Sequence, residues 1–197
     1  MKEIEVEVTF DNTKAEVMKI LSRFDFIGKK DISDTYYCDP LRKNLQPETD
    51  LRLNETFRVR KTKEKCFLTY KKQHFKGKLW VYSDEYETKV ENSNTIKKII
   101  MMLGLKPLIK VNNKRRVYRY KDFEIELEDV ENLGIFIEVE KLCDTENDEM
   151  KIKEEIRNFI RSLNLKNVRE LNIGKNQYLL SLKMNKNLKL YNDTKYD

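Results

Sequence analysis

The chain has 197 residues, a length that suits a single domain. Hydrophobic residues make up 39% of it and charged residues 38%, which disfavours a solid two-layer core and places the excess charge on a polar surface or in a charged cavity. The net charge of +6, from 40 basic and 34 acidic residues, favours an anionic partner such as nucleic acid, a membrane surface or a phosphorylated small molecule.

The cysteines and the N-terminal sequence predict a compartment. Cys38, Cys66 and Cys143 are odd in number, far apart and without metal-ligand spacing, which is typical of reduced thiols in a cytosolic protein. The first residues lead directly into alternating glutamates, and no stretch is apolar enough to span a bilayer. We therefore expect a cytoplasmic protein with no membrane partner.

The first half of the chain predicts one helix among five strands. Residues 3–10 alternate acidic and aliphatic side chains, as a strand does, and Thr13 with Glu16 has the spacing of a capping box for a helix over about 13–23. A polar segment, 40–54, is predicted to be a loop. The remaining patterns are typical of strands over about 27–37, 56–61, 66–73 and 80–90.

The second half predicts two further helices, three strands and a tail. The helices are expected over about 93–103 and 148–163, and the strands over about 108–120, 123–130 and 136–142. Residues 1–182 would form one domain, and 183–197, rich in Lys and Asn, a disordered tail. This order predicts an α+β fold: an antiparallel, eight-stranded, closed or nearly closed β-barrel with helices packed outside.

Charged side chains recur at every second position of the predicted strands, so each set shares one face. An ordinary sheet with one solvated face would also give this pattern. The signs, however, segregate by strand, which favours a carboxylate cluster facing a basic cluster. Lys114, Arg116 and Tyr118 are predicted on the charged face, with Arg115 on the outer one. The other charged-face sets are Glu5, Glu7 and Thr9, with Glu3 in line; Arg58 and Arg60; Thr69 and Lys71; Glu85, Glu87 and Lys89; Glu124, Glu126 and Glu128; and Glu138 and Glu140.

An ordered series of short motifs resembles the CYTH superfamily, the triphosphate tunnel fold of class IV adenylyl cyclases, thiamine triphosphatases and inorganic tripolyphosphatases. Glu5-Val6-Glu7-Val8-Thr9 fits the opening ExExK motif, with Thr9 where the family has lysine. The spacing of the motifs and the long loop after Tyr37 are most like the cyclase branch. Further matches are Asp34-Thr35-Tyr36-Tyr37, Phe57-Arg58-Val59-Arg60, Leu68-Thr69-Tyr70-Lys71, Lys114-Arg115-Arg116-Val117-Tyr118 and Leu127-Glu128-Asp129-Val130.

The resemblance implies roles for individual side chains. It implies Mg²⁺ or Mn²⁺ as cofactor and ATP or another triphosphate as substrate, with Lys71 or Lys89 compensating for the lysine missing at Thr9. The metal ligands would be Glu5, Glu7, Glu128, Glu138 and Glu140. Phosphate contacts would come from Arg58, Arg60, Lys71, Lys89, Lys114 and Arg116. The catalytic set would be Glu5, Glu7, Lys71 and Arg116.

Three functions stay open on the sequence. The first is cyclisation of ATP to cyclic AMP and pyrophosphate, and the second is hydrolysis of thiamine triphosphate, a nucleoside triphosphate or inorganic triphosphate. The third is non-catalytic binding of a nucleotide, polyphosphate or RNA. RNA bound on an open surface would show a steep salt dependence, whereas a closed tunnel would bind one triphosphate with a divalent ion. Of the three functions, we expect enzymatic activity, and we do not expect nucleic acid as a partner. The sequence leaves open whether the protein forms a homodimer.

Overall fold

The fold is a ring of eight antiparallel strands, described by a computed structural model for residues 2–77, 79–143 and 148–196. The strands pair in the order β5-β4-β3-β2-β6-β7-β8-β1, and β1 returns to β5, with Glu3 opposite Ser83, to complete the ring. A two-residue strand, β9, pairs with the end of β1. The strands are β1 (Lys2–Thr9), β2 (Asp25–Cys38), β3 (Glu55–Lys61), β4 (Cys66–Lys76), β5 (Leu79–Val90), β6 (Lys106–Tyr120), β7 (Phe123–Val130), β8 (Gly134–Cys143) and β9 (Arg169–Glu170).

Within the described residues, four α-helices accompany the ring: α1 (Lys14–Leu21), α2 (Ser93–Met102), α3 (Glu149–Ser162) and α4 (Lys175–Lys183). The predicted capping box begins α1: the Thr13 hydroxyl accepts from the Glu16 amide, and the Glu16 carboxylate accepts from the Thr13 amide. The eight-stranded antiparallel fold with external helices is confirmed. The prediction omitted β9 and α4, and a short 3₁₀ helix, Lys43–Leu45, lies within the predicted loop.

The main hydrophobic core lies outside the ring. Helices α1 and α3 place Val17, Leu21, Ile156 and Ile160, all fully buried, against the outward aliphatic side chains of β1, β7 and β8. A smaller cluster packs Ile100 of α2 against β3 and β4. Burial of apolar surface stabilises the folded state by roughly 25 cal/mol per Å². The aliphatic side chains of each strand therefore face the helices, and the charged side chains on the opposite face of the strand point into the lumen.

Helix α4 packs over one end of the lumen. Tyr36, Val111 and Phe136, which share the inner face of the ring with the charged side chains, form an apolar cluster there. Tyr178 and Leu179 of α4 pack against this cluster. The lumen is therefore charged over most of its length and apolar beneath α4.

The segment predicted to be a disordered tail makes defined contacts as far as Tyr196, whereas Asp197 lies outside the described residues. Tyr191 forms a β-bridge with Leu171, and the Tyr196 hydroxyl donates to Glu170 at 2.6 Å. Tyr191 and Tyr196 thus pack this segment against the domain, although its Lys- and Asn-rich composition predicted disorder. Over the described ranges, no helix is both long and apolar enough to cross a membrane.

Candidate active site

The ring encloses a cavity of about 760 Å³ whose wall carries both signs of charge. Its acidic side chains come chiefly from β1, β7 and β8, and its basic ones from β2, β3, β4 and β6, from the turn between β3 and β4, and from the first residue of α4. Alternation along each strand directs these side chains inward, and closure of the ring brings distant strands face to face. The volume lies within the range of small-molecule sites.

Arg58 and Arg60 of β3 form the centre of the basic group, as predicted from their shared parity. Nε and Nη2 of Arg60 each donate to the Asp34 carboxylate at 2.9 Å, and Arg58 lies 3.4 Å from the same carboxylate. Burial opposes ionisation of Asp34, but the two arginines lower its pKa to about 2. Asp34 therefore stays ionised and holds both guanidinium groups in one orientation.

Lys71 of β4 points into the lumen toward β1, which is two strands away in the ring. Its ammonium is 2.6 Å from Glu3 and 2.9 Å from Glu85. Lys89, by contrast, is exposed at the end of β5 and lies outside the set of side chains that line the cavity. Two lysines were expected to compensate for the lysine missing at position 9. Lys71 lies in the lumen, whereas Lys89 does not line it.

The predicted face assignment in β6 is wrong, because Arg115 points into the lumen while Lys114 and Arg116 point outward. Arg115 pairs with Glu128 at 2.6 Å and also contacts Glu126. Arg116 instead lies over the Phe26 ring, 4.9 Å from its centroid. The ring of Tyr118 packs into the outer core. Because alternate residues of a strand share one face, Lys114 and Arg116 point outward with Tyr118.

The five predicted metal ligands all occur in two separate carboxylate groups, and Glu3 joins one of them. The first group is Glu3, Glu5 and Glu140, and the second is Glu7, Glu128 and Glu138; within each, ligand oxygens lie within 4.8 Å of one another. Glu3 has the parity of Glu5 and Glu7, so its position was available from the sequence. The resemblance did not single it out.

Burial and mutual repulsion hold several of these carboxyl groups partly protonated near neutral pH. Burial, followed by the charge of Glu138, raises the pKa of Glu5 to about 7. Burial likewise raises the pKa of Glu7 to about 8, and burial with the charges of Glu3 and Glu138 raises that of Glu140 to about 8. Glu138 differs: burial opposes its ionisation, but Lys175 and Arg115 hold its pKa below the ordinary value.

Lys175, the first residue of α4, was absent from the sequence-based site. Its ammonium lies 3.0 Å from Glu7 and 2.6 Å from Glu138, and it contacts Glu128. Meanwhile Thr9, where the family motif has lysine, has a buried hydroxyl with no hydrogen-bond partner among the described residues. A lumenal ammonium therefore reaches the second motif glutamate from α4 rather than from β1. No strand periodicity covers Lys175, so sequence alternation could not indicate it.

The residues present fit a divalent cation. Carboxylate oxygens are the donors that Mg²⁺ and Mn²⁺ prefer, and opposite ligands around Mg²⁺ are about 4.2 Å apart, close to the spacing within each group. Glu140 has only carboxylates among its main electrostatic neighbours, so it would gain a counter-charge from a bound cation. Glu3, Glu5 and Glu140, or Glu7, Glu128 and Glu138, would hold such an ion.

The chain belongs to the CYTH family, whose domain model matches residues 1–172. It is 32% identical over 167 residues to "Putative adenylate cyclase MJ0240" of Methanocaldococcus jannaschii, a match that covers 84% of this chain and 91% of that protein. The family assignment made from the motif series is therefore confirmed.

Solved structures share the fold. The PH1819 protein of Pyrococcus horikoshii OT3 has a TM-score of 0.75 at 26% identity, with 93% of this chain and 99% of that chain covered. A protein of Hippeastrum, described as an adenylyl cyclase candidate with a dominant triphosphatase activity, has a TM-score of 0.59 at 16% identity, with 95% and 98% covered. At that identity the second likeness shows the fold alone.

Proposed function

We propose that the protein is a divalent-metal-dependent enzyme that converts ATP to cyclic AMP and pyrophosphate. One observation carries the proposal: cationic side chains and both carboxylate groups face the same cavity. The cations that would contact the phosphates are Arg58, Arg60, Lys71 and Arg115, whereas Lys175 pairs with the second carboxylate group. The similarity to the Methanocaldococcus protein, named as a candidate adenylate cyclase, supports the choice of reaction.

The cationic side chains would bind and orient the triphosphate. Arginine offers paired donors that match phosphate oxygens, and Lys71 adds a compact charge. Because Asp34 already holds Arg58 and Arg60 in place, their donors need little reorganisation when phosphate arrives. Burial of Arg58, which is 7% exposed, strengthens each such contact.

The carboxylate groups would hold the cation beside the phosphates. When bound, the cation would offset phosphate charge and favour ionisation of the attacking hydroxyl. In cyclisation the ribose 3′-oxygen forms a bond to the α-phosphorus, and the bond from that phosphorus to the leaving pyrophosphate breaks. The chain's contribution is to hold the two reacting groups in line.

Hydrolysis of a triphosphate is the second candidate, and the composition of the cavity wall favours it. The wall is dominated by charged side chains, with few apolar surfaces such as Phe67 and Ile32 on which a base could pack. Such a wall suits inorganic triphosphate as well as a nucleotide. Water would then attack the terminal phosphorus, and the same cationic residues would bind the phosphates.

Product analysis distinguishes these reactions. The protein is incubated with Mg²⁺ or Mn²⁺ and with ATP, thiamine triphosphate or tripolyphosphate, and products are separated by ion-exchange chromatography. Cyclic AMP with pyrophosphate supports the first proposal, whereas a diphosphate with inorganic phosphate supports the second. Glu5→Gln should lower turnover at least ~100-fold, while Glu91→Gln, at an exposed position, should not change it. Absence of product from all three substrates would overturn the proposal that the protein is an enzyme.

A further inference from the structure

The ammonium of Lys175 occupies the space that a divalent ion would take between Glu7, Glu128 and Glu138. It lies 3.0 Å from Glu7 and 2.6 Å from Glu138, contacts Glu128, and its side chain is 11% exposed. The oxygens of these same three carboxylates lie within 4.8 Å of one another. An ammonium and a divalent cation would therefore compete for one set of ligand atoms.

Helix α4 fixes Lys175 in this position. The Gln177 side-chain amide donates to the Asp50 backbone carbonyl at 3.0 Å, Leu180 is 3% exposed, and Tyr178 packs over the apolar end of the lumen. Lys175 follows the N-cap residue Gly174 directly, so the anchored helix sets where its side chain begins. The Lys175 ammonium therefore has a fixed position in the lumen, unlike the ammonium of a surface lysine, whose side chain samples many conformations.

The other carboxylate group lacks such an occupant. Lys71 contacts Glu3 at 2.6 Å but shares its charge with Glu85 at 2.9 Å. Among the side chains that the structure describes, neither Glu5 nor Glu140 has an ion pair within 4.0 Å, although the charge of Lys71 also acts on Glu5. The two groups therefore differ in charge balance, although their residue types are the same.

We propose that Lys175 is a resident counter-ion that excludes a divalent cation from Glu7, Glu128 and Glu138, so that the free protein binds one ion, at Glu3, Glu5 and Glu140. The inference rests on the metal dependence in the proposed function and adds which group holds the ion. An ammonium already satisfies the second group, and placing a divalent ion there would first require its displacement against buried charge.

Binding of Mn²⁺ to the full chain without substrate tests the proposal, with free Mn²⁺ measured by electron paramagnetic resonance. The wild type should bind one ion. Lys175→Met should bind a second ion at least ~tenfold more tightly than any second event in the wild type. Lys175→Arg, which keeps the charge, and Lys183→Met, at an exposed position of the same helix, should both behave as the wild type.

Two further variants locate the ions and do not depend on the folding of Lys175→Met. In the wild-type background Glu140→Gln should abolish binding, whereas Glu128→Gln should leave the single ion in place. Two ions in the wild type, loss of the single ion in Glu128→Gln, or one ion in a folded Lys175→Met would each overturn the role of Lys175 while metal binding stands. Absence of Mn²⁺ binding in both wild type and Lys175→Met would overturn this role and the proposed metal dependence together.

Discussion

Arg115 and Arg116 are adjacent in the chain but face opposite sides of β6, which makes them a matched pair. Arg115→Gln removes a lumenal guanidinium that pairs with Glu128, so we expect kcat/KM to fall at least ~100-fold. Arg116→Gln loses its contact with the Phe26 ring on the outer face, and we expect an effect of about threefold or less. Steady-state kinetics of the two variants, with thermal unfolding to verify folding, measure the difference. A larger loss in Arg116→Gln would contradict the orientation of β6.

A single threonine shows how one position can change while the charge of the site is kept. Thr9 leaves β1 without the family's lysine, yet Glu7 still has an ammonium at 3.0 Å, supplied by Lys175. The donor now comes from a helix that also covers the apolar end of the lumen. A shift of α4 would therefore alter the charge around Glu7. A lysine on β1 would keep its place in the strand, so its charge near Glu7 would not depend on where α4 lies.

At the scale of elements, the stability of α4 depends on one face of a short helix. Leu180 is 3% exposed, whereas Leu182 on the same helix is 51% exposed. We expect Leu180→Ala to lower the free energy of unfolding by about 2–4 kcal/mol, because it leaves a cavity in a packed region. Leu182→Ala should change it by ~0.5 kcal/mol or less. Denaturant unfolding measures both values, and equal losses would contradict the described packing of α4.

The same elements show where sequence periodicity was sufficient. Alternation of charged and aliphatic residues located the ring strands, because each strand separates a charged lumen from an apolar outer core. It failed in β6, where Lys114, Arg115 and Arg116 are consecutive cations and only the packing of Tyr118 decides which one points inward. It also missed α4, whose buried face includes the polar residues Asn176, Gln177 and Ser181 instead of an apolar stripe.

At the scale of the whole molecule, closure of the ring assembles the site from distant parts of the chain. Lys71 on β4 meets Glu3 on β1, and Lys175 beyond the ring meets Glu7, Glu128 and Glu138. No local pattern specifies these contacts, because they follow from the return of β1 to β5 and the docking of α4. The result concentrates carboxylates in a buried space, where the loss of bulk solvent disfavours their charged forms.

That concentration predicts how stability depends on pH. The pKa values of Glu5, at about 7, and of Glu7 and Glu140, at about 8, lie above the ordinary value near 4.5. Between those limits the folded protein holds protons that the unfolded chain has released, so the metal-free protein should lose stability as pH rises from about 5 to about 8. A loss of ~1 kcal/mol corresponds to about 2–4 °C in Tm for a chain of this size. Above this range Lys153, whose pKa burial lowers to about 8, acts in the opposite direction.

A divalent cation should reverse this trend, because it binds ionised carboxylates and releases their protons. We therefore expect the rise in Tm on adding Mg²⁺ or Mn²⁺ to be small at pH 5.5 and several-fold larger at pH 7.5. Calorimetry at the two pH values with and without the ion measures it. Glu140→Gln, which mimics the protonated carboxyl group, should reduce the metal-free fall, to which Glu5 and Glu7 still contribute, and remove most of the response to the ion. A metal-free Tm that rises between these pH values would contradict the raised pKa values, since ionisation of buried, crowded carboxylates must cost folding free energy.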